Sequence, residues 1–196
     1  MASTTRLSPR TDIDHEIIEA CQRGDQDAFR VLFESHKDRV YSLCLRYSGN
    51  PATALDLAQD VFLKLWSKMG EFRGESSFET WLYRLVVNTC VDSRRRGWRL
   101  IPFADTAFEA IRATGESALS QVLRDEREQS LQDVVAKLPP DQRLVVVLRY
   151  TEGLSYEEIA DVLGCSRGTV ASRLNRAHKT LERRLEHLRA SYGQEQ

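Results

Sequence analysis

Residues 155–174 read SYEEIADVLGCSRGTVASRL. Ser155 followed three residues later by Glu158 is a capping box, Gly164 is a helix stop and Ser166 is a fresh N-cap, so the stretch predicts helix, tight turn, helix. Ile159, Ala160 and Leu163 point inward from the first helix, and Val170 and Leu174 from the second; small Ala160 lets the two axes approach. Charge divides across the turn. Residues 152–163 hold four acids and no base, whereas residues 165–184 hold six bases against Glu182 alone, net +5. A second helix of this kind can enter a polyanionic groove while the first faces away. Gly168, Thr169, Ala171 and Ser172 keep its first turns slim, as groove entry requires. Opposite the Val170–Leu174 anchor lie Arg167, Thr169, Ser172, Arg173, Asn175, Arg176 and Lys179. Arg176 is long enough to meet guanine bidentately, Ser172 and Asn175 suit base edges at short range, and Arg173 and Lys179 suit phosphates.

Upstream of the motif, helical signals dominate and strand signals are nearly absent. HEIIEACQRG ends at Gly24 and Asp25 can cap the next helix, where Phe29, Leu32, Phe33, Val40, Leu43 and Tyr47 recur at spacings of three, four and seven. That helix stops at Gly49. Asn50 and Pro51 begin another, running to Gly70. A polar loop, EFRGESS, separates it from FETWLYRLVVNTCVDSRRR. From Gly97 the periodicity fails, and residues 99–130 carry six acids against four bases. Further helices are expected near 118–137, 141–152, 155–163 and 166–188, punctuated by Pro139, Pro140, Gly153 and Gly164. The predicted fold is all-α: two small helical domains joined by an irregular acidic linker. Residues 1–24 form an amino-terminal segment and first helix packed on the first domain, 25–98 that domain, 99–117 the linker, and 118–196 the helix-turn-helix domain.

Composition excludes several classes. With 28 basic and 29 acidic residues and a net charge of −1, the chain is no polycation, so any nucleic-acid surface is local. Cys21, Cys44, Cys90 and Cys165 form no C-x-x-C pair, which points to buried thiols in a reducing cytoplasm. His15, His36, His178 and His187 have no partners at metal-ligand spacing. No phosphate-binding glycine loop or nucleophile motif marks an enzyme, so neither metal nor cofactor is expected. The amino terminus lacks a signal-peptide apolar run, and no stretch reaches the roughly 18 apolar residues of a membrane span. The helix-turn-helix by itself also fits repressors and response regulators, so the first domain must discriminate.

LPPDQRLVVVLRYTEGLSYEEIADVLGCSRGTVASRLNRAHKTLERRL resembles region 4 of an extracytoplasmic-function (ECF) sigma factor of the sigma-70 family. AFRVLFESHKDRVYSLCLRYSGN, ALDLAQDVFLKLW and SSFETWLYRLVVNTCVDSRRR resemble regions 2.1, 2.2 and 2.3 to 2.4, in the family's order. Together these segments cover about three quarters of the chain. The resemblance implies a factor that binds core RNA polymerase, through the beta-prime clamp helices and the beta flap, and directs it to promoter DNA for transcription initiation. It also implies an anti-sigma factor as partner and an acidic linker that mimics nucleic-acid charge.

For the first domain the resemblance assigns roles to particular residues. In ALDLAQDVFLKLW, Leu55, Ala58, Phe62 and Leu65 read as the buried stripe, with Trp66 in the core or at its rim. Asp56, Gln59, Asp60 and Leu63 are left towards solvent as the polymerase contact. The next helix and the loop from Glu71 to Ser77 are implied to read the minus-ten element. There Trp81, mostly a packing residue, accompanies Arg84 and Asn88 as base-pocket or backbone donors, and Arg94, Arg95 and Arg96 hold phosphates. The implied minus-thirty-five reader is the helix from Ser166.

Overall fold

A computed structural model describes residues 15–95 and 134–192. The amino-terminal segment, the linker, Arg96 and most of the helix expected at 118–137 lie outside the described residues. Every regular element among the described residues is helical.

The first domain is built on local caps. Helix α1 (His15–Gln22) buries Ile18 and Cys21 against α2 (Gln26–Ser48). The Asp25 carboxylate accepts the amides of Asp27 and Ala28, as an N-cap should. Helix α2 ends at Gly49, whose φ of 70° is left-handed. A Cβ there would also lie 2.9 Å from the Ala136 side chain, so this position needs glycine for its conformation and for the approach of the second domain. Asn50 then accepts the Thr53 amide at 3.0 Å and Pro51 opens α3 (Pro51–Lys68), which closes in a 3₁₀ turn at Met69–Glu71. Helices α2 and α3 pack through edge-to-face ring pairs, Phe33–Phe62 at 4.6 Å and Phe29–Trp66 at 4.8 Å. Helix α4 (Phe78–Arg95) completes the bundle, with Ser77 accepting the Thr80 amide.

The expected stripe on α3 needs one correction. Ala58, Phe62 and Leu65 are buried, but Leu55 is 45% exposed and the upper stripe runs instead through Ala54, Leu57 and Val61. The covered face of α3 is thus wider than a single stripe, and Leu55 lies just outside it.

In the second domain, α5 (Pro140–Val146) does not continue as a regular helix to 152. It passes into a π turn, Val147–Thr151, closed by the Glu152 amide on the Val147 carbonyl. The wider turn leaves Tyr150 57% exposed while Val147 and Leu148 stay buried. Helix α6 (Tyr156–Leu163) has the full capping box: Glu158 N–H to Ser155 Oγ at 3.2 Å, and Ser155 N–H to Glu158 Oε2 at 2.8 Å. Gly164 (φ 59°) stops it, Ser166 caps the Thr169 amide at 3.1 Å, and α7 (Arg167–Tyr192) follows. The inward faces are those expected, with Val162 added to Ile159; Ala160 and Leu163 are only half-buried.

The two domains share one continuous apolar core. Val147 and Leu148 pack towards Leu43, Tyr83 and Val87, around a small cavity that also meets Cys90. Polar ties cross the same seam. Arg143 of α5 donates to the Tyr47 carbonyl in the last turn of α2, and Arg84 of α4 donates to the Asp161 carbonyl in the last turn of α6 at 3.0 Å. Each domain thus supplies a cation to carbonyls that its partner's helix leaves unpaired.

Candidate DNA-reading and polymerase-facing surfaces

Helix α7 is held by a fully buried seam of Val170, Leu174 and Ala177. A seam at that spacing turns Ser172, Arg176 and Lys179 outward on the opposite side, and all three are exposed, as is Asn175. Arg176 Nε donates to the Ser172 carbonyl at 3.2 Å, which folds the long side chain back over the slim amino-terminal turns. The remaining expected residues are more committed. Thr169 is half-buried, and its hydroxyl meets Ser166 Oγ at 2.9 Å, so it belongs to the turn. Arg173 sits at the edge facing α5, 3.5 Å from Asp141, and Arg167 meets Glu157 at 3.0 Å. Both pairs are solvated enough to exchange a carboxylate for a phosphate at little cost.

On α4, Trp81, Arg84 and Asn88 recur at helical spacing and share one side. Trp81 is half-buried and wedged against Phe72 (5.3 Å) and Phe78 (6.0 Å), which accounts for it as a packing residue. Asn88 is exposed. Arg84 is half-buried and engaged with Asp161, so the expected open face is partly covered by the second domain. Arg94 and Arg95 fall in the last turn of α4. The preceding loop is tethered to α1, because Gln22 Nε2 donates to the Phe72 carbonyl at 2.7 Å. On α3, Asp56, Gln59, Asp60 and Leu63 lie along one side, Asp60 exposed and the others half-buried.

Sequence reasoning missed a buried polar cluster between the domains. Glu152, only 5% exposed at its side chain, accepts from Arg39 Nε and from the Tyr83 hydroxyl, each at 2.7 Å. The other arm of Arg39 reaches Glu79 at 3.2 Å. Burial, with the Glu152 charge adding to it, pushes the Tyr83 phenol far above its ordinary range, so it stays a donor. The acidic helix of the motif was expected to face away from the polyanionic groove; from that stretch the Glu152 carboxylate and the Asp161 backbone carbonyl meet cations of the first domain. The charge asymmetry of the motif was the only available signal.

The fold and these surfaces define a helical DNA-binding protein whose helix-turn-helix is docked on a second helical domain. Residues 32–100 match the family described as Sigma-70 region 2, and residues 128–181 match Sigma-70, region 4. The RNA polymerase sigma-H factor of Pseudomonas aeruginosa is 38% identical over 183 residues, covering 89% of this chain and 95% of that protein. The ECF RNA polymerase sigma-E factor of Escherichia coli is 36% identical over 185 residues, with the same coverage. Among solved structures, CnrH in complex with the cytosolic domain of CnrY superposes with a TM-score of 0.62 at 25% identity, over 88% of this chain and 96% of that one. RpoE of Bartonella quintana, crystallised with the anti-sigma factor NepR, shares the fold with a TM-score of 0.61 at 23% identity, over 81% and 96%. The chain belongs to the sigma-70 family as an ECF-type sigma factor, an alternative factor that directs promoter recognition for transcription initiation. No helix among the described residues is long and apolar enough to cross a membrane.

Proposed function

We propose that this sigma factor divides its work among three surfaces. The side of α3 bearing Asp56, Gln59, Asp60 and Leu63 docks on the beta-prime clamp helices of core polymerase. Helix α4, with Trp81, Arg84, Asn88 and the arginines 94–96, together with the loop from Glu71 to Ser77, reads and holds the minus-ten strand. Helix α7 reads the minus-thirty-five element, with Ser172, Asn175 and Arg176 towards base edges and Arg167, Arg173 and Lys179 towards phosphates. Thr169 positions the first turn. Residues 25–98 and 118–196 act as the two functional units, with 99–117 as their linker. The protein works in the cytoplasm and has no catalytic chemistry of its own. A repressor that holds both domains, an anti-sigma factor, is the further partner; CnrH, similar over most of this chain, is held by the cytosolic domain of CnrY.

The observation that carries the reading is the exposed Ser172–Arg176 pair, set opposite a fully buried seam on a helix of net positive charge. The test is capture of core polymerase followed by run-off transcription, with binding of the holoenzyme to single-base promoter variants at two salt concentrations. Arg176→Ala costs about 1–3 kcal/mol and relaxes selectivity at one or two base pairs, whereas Lys179→Ala weakens all variants alike and lowers the salt slope by about one. Equal weakening of every variant by Arg176→Ala would make Arg176 a backbone contact.

A further inference from the structure

Two acids stand beside cations of α7 that the minus-thirty-five reading assigns to phosphates. Glu157, in the first turn of α6, lies 3.0 Å from Arg167, and Asp141, in the first turn of α5, lies 3.5 Å from Arg173. A carboxylate in a first turn offsets the helix dipole wherever it points, and the cap of α6 already uses Glu158. Neither helix therefore requires its acid to turn towards an arginine. The outer side of α7, opposite the Val170–Leu174 seam, is arranged differently. There, among the described residues, Arg176 and Lys179 form no ion pair, and Arg176 donates to the Ser172 carbonyl. The flanking cations are neutralised and the outer ones are not.

We propose that Glu157 and Asp141 are counter-charges that limit the sequence-independent part of DNA binding by α7. A phosphate that approaches Arg167 or Arg173 must displace the carboxylate or share the cation with it. Both acids keep more than half of their side chains in water, so each pair is weak and yields once other contacts hold the helix in place. On a matching sequence Ser172, Asn175 and Arg176 supply those contacts. On random sequence phosphates are nearly the whole attraction, and two of the cations that would meet them are already occupied. A genome offers on the order of 10⁶ or more competing sites, so even a few-fold weakening of random binding keeps the factor available for promoters. The acids act on every sequence alike; the base-edge residues do the discriminating.

The proposal rests on the reading of α7 as the minus-thirty-five surface, and the test separates the two. Binding of the full chain to a labelled duplex of mixed sequence is followed by fluorescence anisotropy at two salt concentrations. Glu157→Gln and Asp141→Asn each raise the affinity about two- to fivefold at the lower salt and steepen the salt dependence by up to about one. Asp161→Asn makes the same change in net charge on α6 without an arginine of α7 as ion-pair partner, and gives a smaller gain. In an Arg167→Gln background the gain from Glu157→Gln falls to that of Asp161→Asn, because both substitutions remove one shared interaction. Far-UV circular dichroism checks that each variant folds, and the two acids, on separate helices, test the idea independently. In the holoenzyme neither neutral variant alters the ranking of single-base promoter variants. Gains no larger than that of Asp161→Asn, a gain that persists in full without Arg167, or a changed ranking overturns the proposal. If Arg167→Gln and Arg176→Ala both leave duplex affinity unchanged, the minus-thirty-five reading of α7 falls and the proposal with it; if they lower it while Glu157→Gln and Asp141→Asn raise nothing, the proposal alone falls.

Discussion

Two apolar side chains on α3 look alike in the sequence and should behave differently when truncated. Phe62 is 2% exposed, with its ring edge-to-face against Phe33 at 4.6 Å and 65°. Phe62→Ala removes the buried ring and leaves a hole between α2 and α3 that long helices cannot easily close, a loss of about 3–5 kcal/mol. Against a total stability of about 5–15 kcal/mol that is roughly a fifth or more. At roughly 2–4 °C per kcal/mol for a chain of this size, the thermal midpoint falls by roughly 6–20 °C. Leu55 is 45% exposed, so only part of its side chain leaves water on folding, and alanine is the better helix former. Leu55→Ala therefore costs under about 1 kcal/mol. Urea titrations followed by far-UV circular dichroism measure both. Equal losses at the two positions, or a loss below about 1.5 kcal/mol for Phe62→Ala, would refute the packing derived for α3.

Further tests address buried titratable groups. His36 lies 2% exposed on α2, with Nδ1 3.0 Å from the Leu32 carbonyl, and burial lowers its pKa below the ordinary 6.5. The unfolded chain therefore takes up a proton first on acidification. Stability from this group is complete above the unfolded value of about 6.5 and is lost as pH falls towards the folded value. Unfolding free energies measured between about pH 7.5 and about pH 5 should fall more steeply for the native chain than for His36→Phe; parallel curves would exclude the effect. Thiol reactivity offers an independent check. Cys44 is raised well above the ordinary thiol range, first by its hydrogen bond with the Cys90 thiol and then by burial, and burial followed by the Asp25 charge raises Cys21. With Cys21, Cys44 and Cys90 buried, an aromatic disulfide reagent should label only Cys165 rapidly in the native protein and the other three on unfolding. Rapid labelling of a second thiol would contradict the core as described.

Local chemistry made much of this protein legible before folding. Asp25, Asn50, Ser155 and Ser166 cap helices, and Gly49 and Gly164 stop them, through hydrogen bonds that span only three or four residues. Such contacts form wherever the chain finds itself, so spacing alone located these helix ends and the turn between α6 and α7. The anchor of α7 at Val170 and Leu174 was readable for the same reason, since helical periodicity separates its two sides. What periodicity could not decide was where the covered face of α3 would end; that boundary belongs to α2 and α4, and it left Leu55 outside. Nor could it show that α5 would widen into a π turn at Val147–Thr151. Least legible was the role of Glu152. Its partners lie 113 and 69 positions away in the chain, and only the packing of one domain on the other removes them from water together. An acid on a short loop reads as solvated until a distant surface covers it. The sequence by itself determined the helix ends, the turn and the family, because their causes are local; the tertiary structure decided which charges stay exposed and which meet the other half of the chain, because burial is a property of neighbours.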